Sequence, residues 1–137
     1  MDDQIELCHE APDAEEYTAL RLAAGLSPKD IAGARIALKQ SIYVVTLRGD
    51  DGQLVGMGRI IGDGGCFYHI VDIAVHPSQQ GRGFGKLIMK ALTDYLDANA
   101  HPGSYASLIA DVPADQLYLK FGFEYTQPKS VGMYRRY

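Results

Sequence analysis

The segment Val71-Asp-Ile-Ala-Val-His-Pro-Ser-Gln-Gln-Gly-Arg-Gly-Phe-Gly-Lys86 constrains this chain more than any other. It reads as a β-branched strand, a tight glycine turn and the start of an amphipathic helix. Gly81, Gly83 and Gly85 remove side chains just where the helix begins. Several backbone N–H groups are then left without helical partners, with the positive end of the helix dipole behind them. A turn of this build holds an anion, most often a phosphate or pyrophosphate.

Spacing separates the candidate phosphate loops. A Walker-type loop needs glycine five residues before its Gly-Lys pair and Ser or Thr after it, whereas Gly85-Lys86 has Gln80 and Leu87 there. The dinucleotide fingerprint requires a glycine where Lys86 stands, in a turn after an N-terminal first strand. A kinase glycine loop lies between two strands of a far longer chain. What fits is Gln-x-x-Gly-x-Gly at Gln80, Gly83 and Gly85, after a strand ending Ile73-Ala-Val-His-Pro77. This resembles the acetyl-CoA signature of the GNAT acetyltransferase superfamily. The alternative is an ordinary glycine-rich strand–helix turn.

At 137 residues the chain has the size of one domain, residues 1–137, with a single core. Its 47% hydrophobic and 22% charged residues are those of a globular protein. No apolar run approaches a membrane span, and the start Met1-Asp-Asp-Gln is acidic where a signal or transit peptide is basic. Cys8 and Cys66 match no metal-ligand spacing and read as reduced thiols, which points to the cytoplasm. The four histidines, at 9, 69, 76 and 101, are scattered, so no metal site is expected. An acidic net charge without a basic stripe disfavours nucleic acid.

Ile5 to Cys8 reads as a short strand, and Tyr17, Leu20, Ala23 and Ala24 recur at helical spacing until Gly25. Ser27-Pro-Lys-Asp30 predicts a second helix with Ser27 as N-cap, continued by Ile31, Ala34, Ile36 and Leu38. Strands follow at 42–47, 54–61 and 67–75, separated by turns at 49–52 and 62–65. The helix after the glycine turn places Leu87, Ile88, Ala91, Leu92, Tyr95 and Leu96 on one face. A strand at 106–110, a short helix opened by Pro113, and strands at 123–126 and 131–134 complete the chain. The order is β-α-α-β-β-β-α-β-α-β-β, an α/β domain with a mixed sheet.

The GNAT resemblance predicts this same order with a mixed, mostly antiparallel sheet, and it covers nearly the whole chain. A second signal lies about 35 residues on: Asp111-Val-Pro-Ala-Asp-Gln-Leu-Tyr-Leu-Lys-Phe-Gly-Phe123. It looks like the family's final helix, usually Asn-x-x-Ala-x-x-Leu-Tyr followed by Gly-Phe. Ala114, Leu117, Tyr118, Gly122 and Phe123 match, but Asp111 replaces the common Asn and cannot donate a hydrogen bond when ionised.

The resemblance implies an N-acetyltransferase that moves an acetyl group from acetyl-CoA to an amine within a ternary complex. The pantetheine arm would pair with the main chain of Ile73, Ala74 and Val75, and an N–H of that segment would face the thioester oxygen. One such donor is worth about 3–4 kcal/mol. Gln80, Gly81, Arg82, Gly83, Phe84, Gly85 and Lys86 would wrap the pyrophosphate, with Arg82 and Lys86 either adding charge or simply solvated. Tyr118 resembles the family's general acid for the leaving thiolate; the alternative is a core aromatic beside Leu117 and Phe121.

The amine must lose a proton, at a cost of about 4 kcal/mol at neutral pH. Some family members use a strand residue about six positions before the last valine, here His69 relative to Val75. His69 is either that base or a hydrogen-bonded strand histidine. Alternation puts it on one side with Val71 and Ile73, and Asp72 on the other, where Asp72 must be paired or near water.

Residues 1–40 hold eight acids and four bases, so the whole net charge of −4 lies there, since residues 41–137 hold nine of each. In the family the first two helices wall the acceptor, and an acidic wall would favour a cationic amine. The segments 57–65 and 129–134 are similar to those of a bacterial branch of small amine acetyltransferases. The expected acceptor is therefore a small-molecule amine of arylalkylamine or polyamine type, in a protein that pairs as a homodimer through its sheet. An acyl-CoA-binding sensor without turnover and a protein or peptide acetyltransferase are the alternatives.

Overall fold

In a computed structural model, which describes residues 4–137, the chain builds a sheet covered by helices on both faces. The elements are β1 (Glu6–Cys8), α1 (Ala14–Ala23), α2 (Ile31–Lys39), β2 (Tyr43–Arg48), β3 (Leu54–Gly62), β4 (Phe67–Val75), α3 (Phe84–Asn99), β5 (Tyr105–Leu108) and α4 (Asp115–Leu119). A 3-10 turn at Pro77–Gln79 joins β4 to the glycine turn. The five strands lie in chain order, antiparallel from β1 to β4 and parallel between β4 and β5. No helix among the described residues is long and apolar enough to cross a membrane.

Local chemistry explains most element boundaries. Asp13 caps α1 in a reciprocal capping box with Glu16, which satisfies two otherwise unpaired N–H groups. The cap of α2 is Asp30, whose Oδ2 accepts from the Gly33 N–H at 2.8 Å, rather than the expected Ser27. Ser27 is engaged elsewhere, accepting two hydrogen bonds from Arg21. The turn between β3 and β4 is held by Asp63, whose Oδ1 accepts from the N–H groups of Gly65, Cys66 and Phe67. Those three donors pull its carboxyl pKa down to about 2.

One face of the sheet packs on α3 through Val45, Leu47, Ile60, Ile70, Ile88 and Leu92. The helix lies close because β3 offers Gly58 beneath it: a Cβ there would stand 2.7 Å from Ile88 Cγ2. The buried stripe of α3 is Ile88, Met89, Leu92 and Leu96. Leu87, expected in that stripe, is on its outer edge and exposed, and Met89 takes its place. The other face packs on α1 and α2 through Tyr17, Leu20, Ala34, Leu38, Met57 and Ala74.

The mixed, mostly antiparallel sheet is the expected one, but the strands expected at 123–126 and 131–134 do not form among the described residues. The Phe123 N–H closes the end of α4 on the Tyr118 carbonyl, and Thr126 and Ser130 bond each other across a turn. Met133 and Tyr134 are 88% and 83% exposed, so their alternation has no buried face to sit on.

Candidate active site

The site begins with a miscount between two strands. Met57 faces Ala74 and Arg59 faces Val71, so Asp72 and Ile73 together oppose the single residue Gly58. This is a β-bulge, with Asp72 at φ 63°, an unusual angle for a residue other than glycine. The bulge breaks the alternation assumed from sequence. His69, Val71 and Asp72 all border one cleft on the α1/α2 face, while Ile73 packs with the α3 cluster. Asp72 therefore shares a side with His69, and Ile73 does not.

The bulge also marks where the sheet splits. β4 pairs with β5 only over Phe67–Ile70, and the side of Val71–Val75 away from β3 carries no strand partner. A narrow gap of about 180 Å³ opens there, with Val71, Asp72 and Ile73 on one side and Leu108, Asp111 and Tyr118 on the other. It shares Arg21, Val71 and Asp72 with the broader cleft of about 560 Å³ under α1 and α2.

Asp72 anchors a buried ionic cluster. Its Oδ1 accepts from Arg21 Nη1, and its Oδ2 accepts from Arg59 Nε at 2.7 Å and Tyr17 Oη at 2.8 Å. Burial, reinforced by the Asp72 charge, pushes the Tyr17 phenol above its usual value, so it stays a proton donor to the carboxylate. Arg59 Nη1 donates to Ser41 Oγ at 2.8 Å and to the Ala37 carbonyl at 3.2 Å, tying α2 to the sheet. Sequence reasoning missed Tyr17, Arg21 and Arg59 as site residues. The usable signal was Arg59 within the apolar run of β3, because a charge inside a buried strand must find a partner.

The two residues expected to move protons line connected clefts. His69, opposite Ser107 across the β4–β5 pair, has Nδ1 2.8 Å from Ser107 Oγ. When Nδ1 carries the proton, Ser107 accepts it and Nε2 keeps a free lone pair. Burial depresses the imidazole pKa, so the ring is neutral at pH 7. Tyr118, on α4, borders the narrow gap; burial first and the Asp111 charge second push its phenol pKa up.

At the end of β4 the glycine turn is open. Gly81 and Gly83 have φ of 80° and 83°, and a Cβ at either would meet nothing within 4 Å. Gly83 caps α3 with no side-chain hydrogen bond, which leaves the first-turn N–H groups of α3 available. Gly85 faces Leu117, while Phe84 packs on the core. Gln80 folds back, its Nε2 donating to the Val75 carbonyl at 3.0 Å. Arg82 donates to Gln79 and lies 5.0 Å from the Phe84 ring centroid. Lys86 is exposed. Ala74 is buried against α1 and α2. A donor set of bare N–H groups in open space suits a pyrophosphate, and the unpaired edge of β4 suits an amide-bearing arm.

Comparison with known proteins places the chain in a family. A family model described as an acetyltransferase (GNAT) domain matches residues 13–133. A crystal structure of a protein of unknown function from meticillin-resistant Staphylococcus aureus, described as a probable acetyltransferase, is 47% identical. It superposes with a TM-score of 0.93 over 98% of this chain and 100% of that one. An N-acetyltransferase called ycf52 from Porphyra purpurea, itself uncharacterized, is 32% identical over 74% of this chain, and the match spans 59% of that relative's length. A GNAT family N-acetyltransferase from Escherichia coli, solved in complex with CoA, shares the fold at 21% identity and a TM-score of 0.65, over 90% of this chain and 71% of that one. By the family-model match over residues 13–133, the chain belongs to the GNAT family of acetyltransferases.

Proposed function

We propose that this chain, as one catalytic domain, transfers an acetyl group from acetyl-CoA to the primary amine of a small molecule in a ternary complex. The observation that carries this reading is the junction of two clefts at Asp72, one bordered by His69 and the other by Tyr118. Bound acetyl-CoA supplies the activated acetyl thioester. The N–H groups at Gly83, Phe84, Gly85 and Lys86 bind its pyrophosphate, with Gly81 and Gly83 leaving room for close approach. Main-chain groups of Ile73, Ala74 and Val75 orient the pantetheine arm along the open edge of β4. Gln80 braces that edge through the Val75 carbonyl, and Arg82 and Lys86 contribute charge at the rim.

Within the chain, His69 Nε2 takes the proton from the amine, and its orientation is fixed by Ser107. Tyr118 Oη, kept protonated by burial, gives a proton to the departing thiolate. The acceptor enters the cleft under α1 and α2. Of the acids of residues 1–40, Glu15 pairs with Arg35 and Glu16 with Arg48 away from the cleft, whereas Asp30 borders it. The charges bordering the cleft are Arg21, Lys29 and Arg59 against Asp30 and Asp72. That balance opposes a polyamine and leaves the arylalkylamine type as the better fit.

Free thiols at Cys8 and Cys66 suit a reducing compartment, and we assign the protein to the cytoplasm. The exposed aromatics Phe67 and Tyr105, beside the outer strand of the sheet, support a homodimer that sedimentation would register.

The test is acetyl-CoA-dependent thiol release across arylalkylamines, polyamines, amino sugars and peptide N-termini. Release with an amine above the no-amine background is expected; none, from protein that binds acetyl-CoA, overturns the reading. Tyr118→Phe should bind acetyl-CoA normally and turn over roughly 100-fold more slowly, the scale of one general acid. Normal turnover would leave Tyr118 a packing residue.

A further inference from the structure

The buried cluster at the acceptor cleft does not balance. Arg21 and Arg59 have side chains only 8% and 7% exposed, and they share one carboxylate, Asp72. Two guanidiniums and one carboxylate leave a net charge of +1 in a poorly solvated place, and such a charge is costly unless something of opposite sign completes it. Asp72 carries a single negative charge and its two oxygens already accept from Arg21, Arg59 and Tyr17, so it cannot neutralise both guanidiniums.

The hydrogen bonds of Arg59 show where the missing partner belongs. Nε is used by Asp72, and Nη1 by Ser41 and the Ala37 carbonyl. Nη2 donates to no described residue. No buried side-chain nitrogen among the described residues is left without a partner, so Nη2 reaches open space. The open space that Arg59 borders is the acceptor cleft. Arg59 pairs with Val71 and His69 pairs with Ile61 on neighbouring strands, so Arg59 and His69 are diagonal neighbours bordering the same cleft.

We propose that the acceptor carries a small anionic group, a carboxylate above all, beside its primary amine, and that Arg59, backed by Arg21, binds it. This rests on the acetyl-transfer reading for the fate of the amine, but not for the anion. An amino-acid-like zwitterion then bridges the sheet with its amine at His69 and its carboxylate on Arg59 Nη2. A guanidinium N–H and a carboxylate form a charge-assisted pair that a decarboxylated amine cannot replace.

The experiment compares matched ligands on the wild-type protein by calorimetric binding and by acetyl transfer. The pairs are phenylalanine with 2-phenylethylamine, ornithine with 1,4-diaminobutane, and O-phosphoethanolamine with ethanolamine; the last separates phosphate from carboxylate. The carboxylate-bearing member should bind about tenfold or more tightly than its partner in at least one pair. Arg59→Lys keeps a charge for Asp72 but loses Nη2, and should erase that preference while acetyl-CoA binding and circular dichroism are unchanged. Equal or tighter binding of the decarboxylated amines, or no binding by any carboxylate, overturns the proposal. A preference confined to O-phosphoethanolamine replaces carboxylate with phosphate and overturns the carboxylate assignment. Carboxylate-selective binding without acetyl transfer would sink the acetyltransferase reading and leave the anion site standing. Transfer to amines regardless of carboxylate would do the reverse.

Discussion

The face of the sheet under α3 and the face under α1 and α2 bury different chemistry. Under α3 the buried contacts are Val, Leu, Ile and Met with one tyrosine, Tyr68, interlocked closely enough that Gly58 has no room for a methyl group. Under α1 and α2 the apolar residues are smaller and fewer, and Tyr17, Arg21, Arg59 and Asp72 are buried among them. Replacing a buried ion cluster with apolar residues of similar volume is often neutral or stabilising, so stability alone does not explain this face. One face holds the fold together, and the other gives up packing to shape a charged cleft.

Mutations on the two faces should differ in kind. Asp72→Ala leaves Arg21 and Arg59 side by side without their carboxylate, and should destabilise by about 3–5 kcal/mol in urea unfolding while changing acceptor selectivity. Leu92→Ala, on a residue with no exposure, should cost about 2–4 kcal/mol in the same assay yet leave acceptor selectivity intact. If Leu92→Ala altered selectivity as well, the division between the faces would be lost.

Gly83→Asp probes neither face but the turn beyond them. A left-handed angle of 83° and a like charge at the pyrophosphate should weaken acetyl-CoA about tenfold, or about 1.4 kcal/mol, by calorimetry. Unchanged affinity would remove the phosphate-loop assignment.

The smallest effect expected is on pH dependence. Burial lowers the His69 pKa below its usual 6.5, so the base we propose is already neutral at pH 7. Turnover should fall only as pH drops through that lowered value, and His69→Gln should remove the acid limb. A limb that persists in His69→Gln would assign it to another group.

What was legible in the sequence was local. The glycine turn and the Leu117-Tyr118 helix are contiguous, and their spacing alone marked them. The antiparallel run β2–β3–β4 followed from strands joined by short turns at 49–52 and 62–65. The charged cluster was not legible, because Tyr17 and Arg21 on α1 lie more than 50 residues from Asp72 and reach it only where α1 packs on the sheet. Strict alternation over β4 put Asp72 on the wrong side, since a bulge is visible only when the partner strand is counted against it. The segment 123–134 misled for the opposite reason: its apolar residues alternate, but Met133 and Tyr134 stay exposed and no strand forms there among the described residues.

The bulge at Asp72 makes the number of residues in β4 matter as much as their identity. With one residue fewer between Val71 and Ala74, the β3–β4 ladder would run without interruption. The kink that accompanies the sheet's split would go, and a straight β4 would meet β5 along more of its length. Such a deletion would keep the hydrophobic pattern and the helices while closing the gap beside Tyr118 and dispersing the charges gathered around Asp72. For this chain, a one-residue change in length separates a sheet that only folds from one that has a site.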